Sequence, residues 1–186
     1  MEGKKKIVIG LLGESGSGKD TVAEYLREKH GAKLMRFADP LKEILHIFFD
    51  KISREDQQWL ALQLRERFGR DIFPKALKRR IENESGIIVV NGIRFWEDYD
   101  FIEGFDPGYV IYVTADQKVR WERSSKRGEK SDDGADFKRF QELEQSETEV
   151  HIPEIGEKAG FIIRNEKDLN FLLEETDRIM NEIANK

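Results

Sequence analysis

The sequence predicts an α/β fold of three layers: a mostly parallel five-stranded sheet, helices on both faces, and a lid segment late in the chain. Three observations predict it. Short apolar runs rich in β-branched residues alternate with segments of helical period, the pattern of right-handed strand–helix–strand crossovers. The clearest run, IVIGLL at 7–12, lacks the alternation of a half-exposed strand and so reads as buried on both faces. It leads straight into GESGSGK at 13–19 and then into helix-spaced residues, which makes the glycine-rich stretch a strand-to-helix turn.

That context gives the turn its chemistry. Gly13, Gly16 and Gly18 let consecutive backbone N–H groups face inward without Cβ clashes, and the helix start adds partial positive charge. Glu14, Ser15 and Ser17 complete the loop, Lys19 is placed to reach β- and γ-phosphates, and Thr21 follows on the helix. Asp20 stands where a Ser or Thr hydroxyl usually ligates Mg²⁺, and Thr21, rotated by about 100°, is no simple substitute. A carboxylate is a good hard ligand for Mg²⁺, directly or through water, so Asp20 is the candidate metal group. The alternative is a carboxylate that only favours the helix start, worth less than about 1 kcal/mol.

A chain of 186 residues suits one domain with a real core. Charged residues make up 37% and the formal net charge is -5, a poor match for sequence-independent DNA binding, which needs a broad basic face. With no cysteine, disulfides, thiolate catalysis and Cys-based zinc sites are excluded, and the 3 histidines are too scattered for metal-ligand spacing. Lys4, Lys5 and Lys6 before an apolar run faintly resemble a signal peptide, but the run ends at Gly13 without a cleavage-like segment. No stretch approaches a membrane span, so a cytoplasmic protein is expected.

Along the chain, the first helix closes at His30 and Gly31, and KLMRF at 33–37 reads as a second short strand. Asp39 falls at an N-cap position with Pro40 opening the helix, and Leu41, Ile44, Leu45, Phe48 and Phe49 give that helix an apolar face. Asp39 also lies at the carboxyl end of a strand, where open α/β sheets bind ligands, so capping and substrate contact both remain open. Ser53 begins another helix with an acidic first turn, and Leu60, Leu64 and Phe68 stack along it. The basic stretch at 69–80 is either a solvated helix face or, with Arg70 as first choice, a receiver of an anionic substrate.

GIIVV at 86–90 is a second buried strand, running into Asn91, Gly92, Ile93 and Arg94. Phosphate-binding enzymes commonly end such a strand in an acid that helps hold Mg²⁺; here Asn91 and Gly92 stand there instead. Arg94 is placed to fork onto a phosphate, or else to pair with Glu97 or Asp98 on the surface. YVIYV at 109–113 is a third buried strand, followed by a helix with Arg120, Arg123 and Arg127 on one face. Like charges on one face repel unless something anionic lies opposite; the alternative is a plain solvated helix. The polar, glycine-bounded stretch at 128–135 reads as a mobile lid, and 136–150 as one acidic helix packing it back through Phe137, Phe140 and Leu143. FIIR at 161–164 is a last strand, and an amphipathic helix at 168–185 closes the chain.

These residues together resemble the P-loop nucleoside and nucleotide kinase superfamily, with a three-layer P-loop NTPase fold. The resemblance is closest to deoxynucleoside monophosphate kinases and dephospho-CoA kinases. GSGKDT resembles the cradle variant of the former, FADPLKEIL the segment after their second strand, and NGIRF their strand end with Arg94 matching and the acid absent. VTADQKVRWERSSKRG resembles the strand–helix of dephospho-CoA kinases, which puts Arg123 and Arg127 on the lid arginines. GFIIRNEKDLNFLLEE is similar to a closing strand–helix whose turn, here at Asn165, contacts the adenine side of ATP.

The resemblance implies a single kinase domain over 1–186, with a helical substrate-binding insertion at about 40–85 and a lid at about 120–150. ATP and Mg²⁺ are the implied cofactors. The implied acceptor is a small phosphorylated molecule, a (deoxy)nucleoside monophosphate first and dephospho-CoA second. Lys19 with the loop amides would hold the phosphates, Asp20 would place the metal, and Arg123 with Arg127 would neutralise developing charge. Asp39, Arg70 and Arg94 would line the acceptor side. A nucleotide switch or partner-dependent ATPase is the reading from another class. Neither DNA nor membrane partners are expected, and the protein would be a monomer or homodimer.

Overall fold

Strand β1 (Ile7–Leu12) is the middle of five parallel strands in the order β2–β3–β1–β4–β5, with β2 at Lys33–Arg36, β3 at Ile87–Ile93, β4 at Gly108–Thr114 and β5 at Phe161–Arg164. The structure is a computed structural model that describes residues 6–127 and 134–186, the side chains of Arg54 and Arg127 excepted. Between the strands lie α1 (Lys19–His30), α2 (Asp39–Phe48), α3 (Arg54–Phe68), α4 (Ile72–Glu82), α5 (Trp96–Glu103), α6 (Gln117–Arg127), α7 (Phe137–Glu144), α8 (Ile152–Gly156) and α9 (Leu169–Ala184).

The alternation of side chains along each strand splits the core in two. On one face Val8, Leu12, Ile88, Val90 and Val110 pack with Leu41, Leu77, Ile81, Ile102 and Ile155 from α2, α4, α5 and α8. On the other, Ile9, Leu11, Val89 and Ile111 pack with Val22 and Leu26 of α1 and Leu172, Ile179 and Ile183 of α9. Burial on both faces is why β1 reads as one unbroken apolar run. The carboxyl ends of all these strands point the same way, and the glycine-rich turn leaves β1 at that edge.

Several expectations about elements need correction. Asp39 is the first residue of α2, whose cap position is Ala38 with no side-chain cap; its Oδ2 instead accepts from the Arg36 N–H at 2.7 Å, tying strand end to helix start. The apolar face of α2 is only half used: Leu41 and Leu45 are buried, whereas Ile44, Phe48 and Phe49 are exposed, as is Phe68 at the end of α3. β3 does not stop at Val90 but continues to Ile93 through a bulge, where Asn91 faces Leu11, Ile93 faces Leu12, and Gly92 is left over at φ 95. The acidic stretch at 136–150 is not one helix, because α7 ends at Glu144 and turns lead on to α8. The lid at 128–135 falls largely on 128–133, outside the described residues.

Local rules hold elsewhere. Ser53 and Asp56 form a reciprocal capping box on α3, Asp168 caps α9 through the Phe171 N–H, and Gly31 ends α1 at φ 65.

The far end of α1 is fastened to α9. Asp177 accepts from Lys29 Nζ at 2.6 Å and Tyr25 Oη at 2.8 Å, and its other oxygen lies 3.0 Å from His30 Nε2. The Lys29 hydrogen bond first, with help from Tyr25 and His30, pulls the Asp177 carboxyl from 3.8 down to about 2. A depressed acid adds stability that is complete above its unfolded value and is lost as pH falls through its folded value. The gap in melting temperature between wild type and Asp177→Asn is therefore full above pH 3.8 and closes as pH falls through about 2, measurable by circular dichroism.

Candidate functional site

At the carboxyl edge of β1 the loop from Gly13 to Lys19 is gripped on three sides. A Cβ on Gly13 would lie 2.3 Å from the Val113 carbonyl of β4, and one on Gly16 2.1 Å from the Arg120 carbonyl of α6. One on Gly18 would meet Asn165 Nδ2 at 2.6 Å. Gly16 and Gly18 also sit at φ 78 and φ 100, a region that side chains disfavour. Gly18 starts α1 without any side-chain cap, which leaves the dipole end of the helix for an anion. Lys19 Nζ lies 3.4 Å from the Glu14 carbonyl, at the mouth of the loop.

Asp20, in the first turn of α1, meets the end of β3. Asn91 Nδ2 donates to Asp20 Oδ1 at 2.7 Å. Asn91 is 3% exposed, and its Oδ1 is buried with no hydrogen-bond partner. The amide orientation follows from the network, since reversing it would set two acceptors face to face.

A phosphate chain with a divalent ion fits these residues: a loop whose glycines lie too close to Val113, Arg120 and Asn165 for any Cβ, a helix start without a side-chain cap, a carboxylate beside it, and a buried acceptor still in need of a donor. Among the described residues no group of three or more His, Asp or Glu converges. Mg²⁺ asks for less, because it takes one or two carboxylates and fills its shell with phosphates and water.

Glu14 turns away from the phosphate side. Its Oε1 accepts from Tyr112 Oη at 2.6 Å and from Thr114 Oγ1 at 3.2 Å, while Oε2 has no partner. Burial, and then the Glu14 carboxylate, push the Tyr112 phenol up well above its usual range, so it stays a donor. Glu14 lines a cavity of about 220 Å³ with Gln117, Arg120, Glu144, Gln145, Glu149, Val150 and Pro153.

The arginines divide their work. Arg120, 6% exposed, donates to the carbonyls of Ala115 and Ser15 and pairs with Glu144, so it links α6, the loop and α7. Arg123 donates to the carbonyls of Asn165 at 2.8 Å and Lys167 at 3.0 Å, which ties α6 to the turn after β5 rather than to the cavity. Asn165 itself donates to the Ser17 carbonyl at 2.8 Å and holds the loop from the other side. The Arg127 side chain is outside the described residues.

On the acceptor side, Arg94 donates to the Thr148 carbonyl and pairs with Glu149, a cavity residue. Arg70 does not line the cavity: its guanidinium is 74% exposed and 3.7 Å from Glu97. Asp39 stands beside β2, bound to the Arg36 N–H. Sequence reasoning missed Glu144, Glu149 and the buried pair of Arg65 and Asp98, because each partner lies far away along the chain.

Strand order, a glycine-rich loop after the central strand and an uncapped helix behind it define a P-loop NTPase fold. The chain belongs to the AAA domain family, whose model matches residues 9–150. It is 28% identical to a UPF0200 protein of Methanocaldococcus jannaschii over 96% of this chain and 91% of the relative. A UPF0200 protein of Pyrococcus furiosus is 26% identical over 95% of this chain and 97% of its own. Among solved structures, shikimate kinase from Bacteroides thetaiotaomicron superposes with a TM-score of 0.65 at 14% identity, over 96% of this chain and 98% of that one. Shikimate kinase from Aquifex aeolicus gives 0.60 at 18%, covering 95% and 98%. At these identities the likeness is one of fold.

Proposed function

We propose that this protein is an ATP-dependent phosphotransferase that moves the γ-phosphoryl group of MgATP to a small phosphorylated acceptor, a (deoxy)nucleoside monophosphate in first place. The observation that supports it is the loop itself, closed by Val113, Arg120 and Asn165 against side chains and open to an anion at the start of α1. Bound MgATP supplies the phosphoryl group. Lys19 and the loop amides hold the phosphates, Asp20 would hold the ion, and Arg123 and Asn165 shape the turn on the nucleoside side. No protein nucleophile is required, because positioning and electrostatics carry most of phosphoryl transfer.

Within the single domain, the helices at about 40–85 and the segment at about 120–150 form the acceptor side and the lid. Arg127 would complete the lid, and Arg70 and Asp39 the outer rim. An acceptor phosphate reaching the cavity takes Arg94 from Glu149, an exchange between two oxyanions on one guanidinium.

A second reading transfers the group to a hydroxyl, as dephospho-CoA kinases do. It is favoured by Glu14 Oε2, a buried acceptor without a donor in a cavity already lined by Glu144 and Glu149. A sugar hydroxyl supplies that donor; a phosphate adds to the charge. A panel of nucleoside monophosphates and dephospho-CoA, assayed with MgATP for ADP release and phosphorylated product, separates the two. Slow hydrolysis that no acceptor changes, but that a protein or RNA stimulates, would overturn both in favour of a switch.

A further inference from the structure

We propose that Asp20 and Asn91 occupy the two metal-facing positions of the phosphate site with their side chains exchanged, the carboxylate on the helix and the neutral polar group on the strand. The inference rests on the reading of the loop as a nucleotide cradle. In the usual arrangement a hydroxyl in the first turn after the loop and an acid at the end of the adjoining strand hold the ion together. Here the strand position is Asn91, level with Leu11 of β1 and two residues before β3 ends at Ile93, and the helix position is Asp20. The two are in contact at 2.7 Å, so they form one unit and not two independent departures from a pattern.

Three properties of the pair follow from its chemistry. The total charge facing the phosphates is unchanged at one carboxylate. The carboxamide is the right partner for it: Nδ2 donates to Asp20 Oδ1 and fixes the carboxylate's rotamer, a duty that a second acid could not perform without a shared proton. Oδ1 of Asn91 then remains buried and without a donor, which is costly unless something in the occupied state supplies one. Mg²⁺ sheds its waters reluctantly, and a water of its shell is such a donor. Asn91 is thus a positioning residue for Asp20, and the bulge at Gly92 follows it directly in β3.

The test is a swap. Nucleotide affinity for an ATP analogue is measured by calorimetry with Mg²⁺ and with EDTA, and bound Mn²⁺ is followed by electron paramagnetic resonance. Wild type is expected to bind better with the metal. Asp20→Ser, whose change is confined to the first turn of a helix, should lose at least tenfold in the metal-dependent part and keep its affinity in EDTA. Asn91→Asp should lose a comparable factor, because two acids now compete at one contact. The double variant Asp20→Ser/Asn91→Asp restores the usual arrangement and should recover most of the loss and the Mn²⁺ signal. A double variant no better than the two losses combined, or Asp20→Ser with undiminished metal dependence, overturns the exchange. Circular dichroism melts check folding, and a poorly folded Asn91→Asp leaves the Asp20→Ser comparison to decide. Wild type without nucleotide affinity in either buffer would sink the cradle reading, and the exchange with it. Wild type that binds equally in both would sink the exchange alone.

Discussion

Lys19→Ala lowers phosphoryl-transfer turnover by about 10²–10³-fold, the cost of removing one preorganised charge from a site that stabilises a developing anion. Lys19 sits at the first position of α1, 9% exposed, with its ammonium over the Glu14 carbonyl. Arg120, a second cation that touches the loop, is already bound to the carbonyls of Ala115 and Ser15 and paired with Glu144, so it is not expected to replace Lys19 when phosphates enter. The loop backbone is held by contacts that the substitution does not touch, those of Gly13, Gly16 and Gly18 with Val113, Arg120 and Asn165. The variant should therefore fold, and its far-ultraviolet circular dichroism should match wild type. What it should lack is the rise in melting temperature that a nucleotide gives by mass action. Turnover near wild type would count decisively against the assignment. Loss of turnover together with loss of structure would show that Lys19 acts through folding.

How much of this was legible in the sequence depended on distance along the chain. The run at 7–12 and the loop after it are local signals, and they placed β1, the glycine-rich turn and α1 correctly because strand, glycines and helix follow one another without a gap. The cap at Ser53 is equally local. Asp39 misled because a strand end, a Pro and an acid in succession fit a cap as well as they fit a clamp on Arg36, and only the backbone decides between them. The helix expected over 136–150 failed because a stripe of spaced apolar residues does not reveal where a helix stops in the absence of Gly or Pro. The site proper was least legible. Asn91 reads as a missing acid in the sequence, and its contact with Asp20, 71 residues away, is visible only in the folded chain. The pairing of the Arg94 guanidinium with Glu149, 55 residues on, is likewise invisible along the chain.

The corner that carries Arg94 should also be the most sensitive point of the fold outside the loop. Asp98 is 1% exposed, accepts from Arg65 Nη2 at 2.7 Å and takes the Arg94 N–H at 3.3 Å. Burial pushes its carboxyl up despite the pull of the Arg65 guanidinium, so each charge depends on the other to remain inside. Arg65 in turn stacks on Phe95 at 4.3 Å and Phe73 at 5.0 Å and donates to the Arg70 carbonyl. Removing one member of a buried pair typically costs about 3–5 kcal/mol, because the other charge is stranded. Against a total of about 5–15 kcal/mol for an ordinary domain, Asp98→Ala should lower the urea midpoint severely and weaken acceptor binding through Arg94. Replacing both at once, Arg65→Met/Asp98→Leu, removes the stranded charge and should regain most of the stability, since apolar groups can fill such sites at no net loss. It should not regain acceptor affinity in full, because the Arg94 N–H still lacks its carboxylate. Asp98→Ala with a midpoint like wild type would show that water reaches the pair and that the corner is held by its aromatic contacts alone.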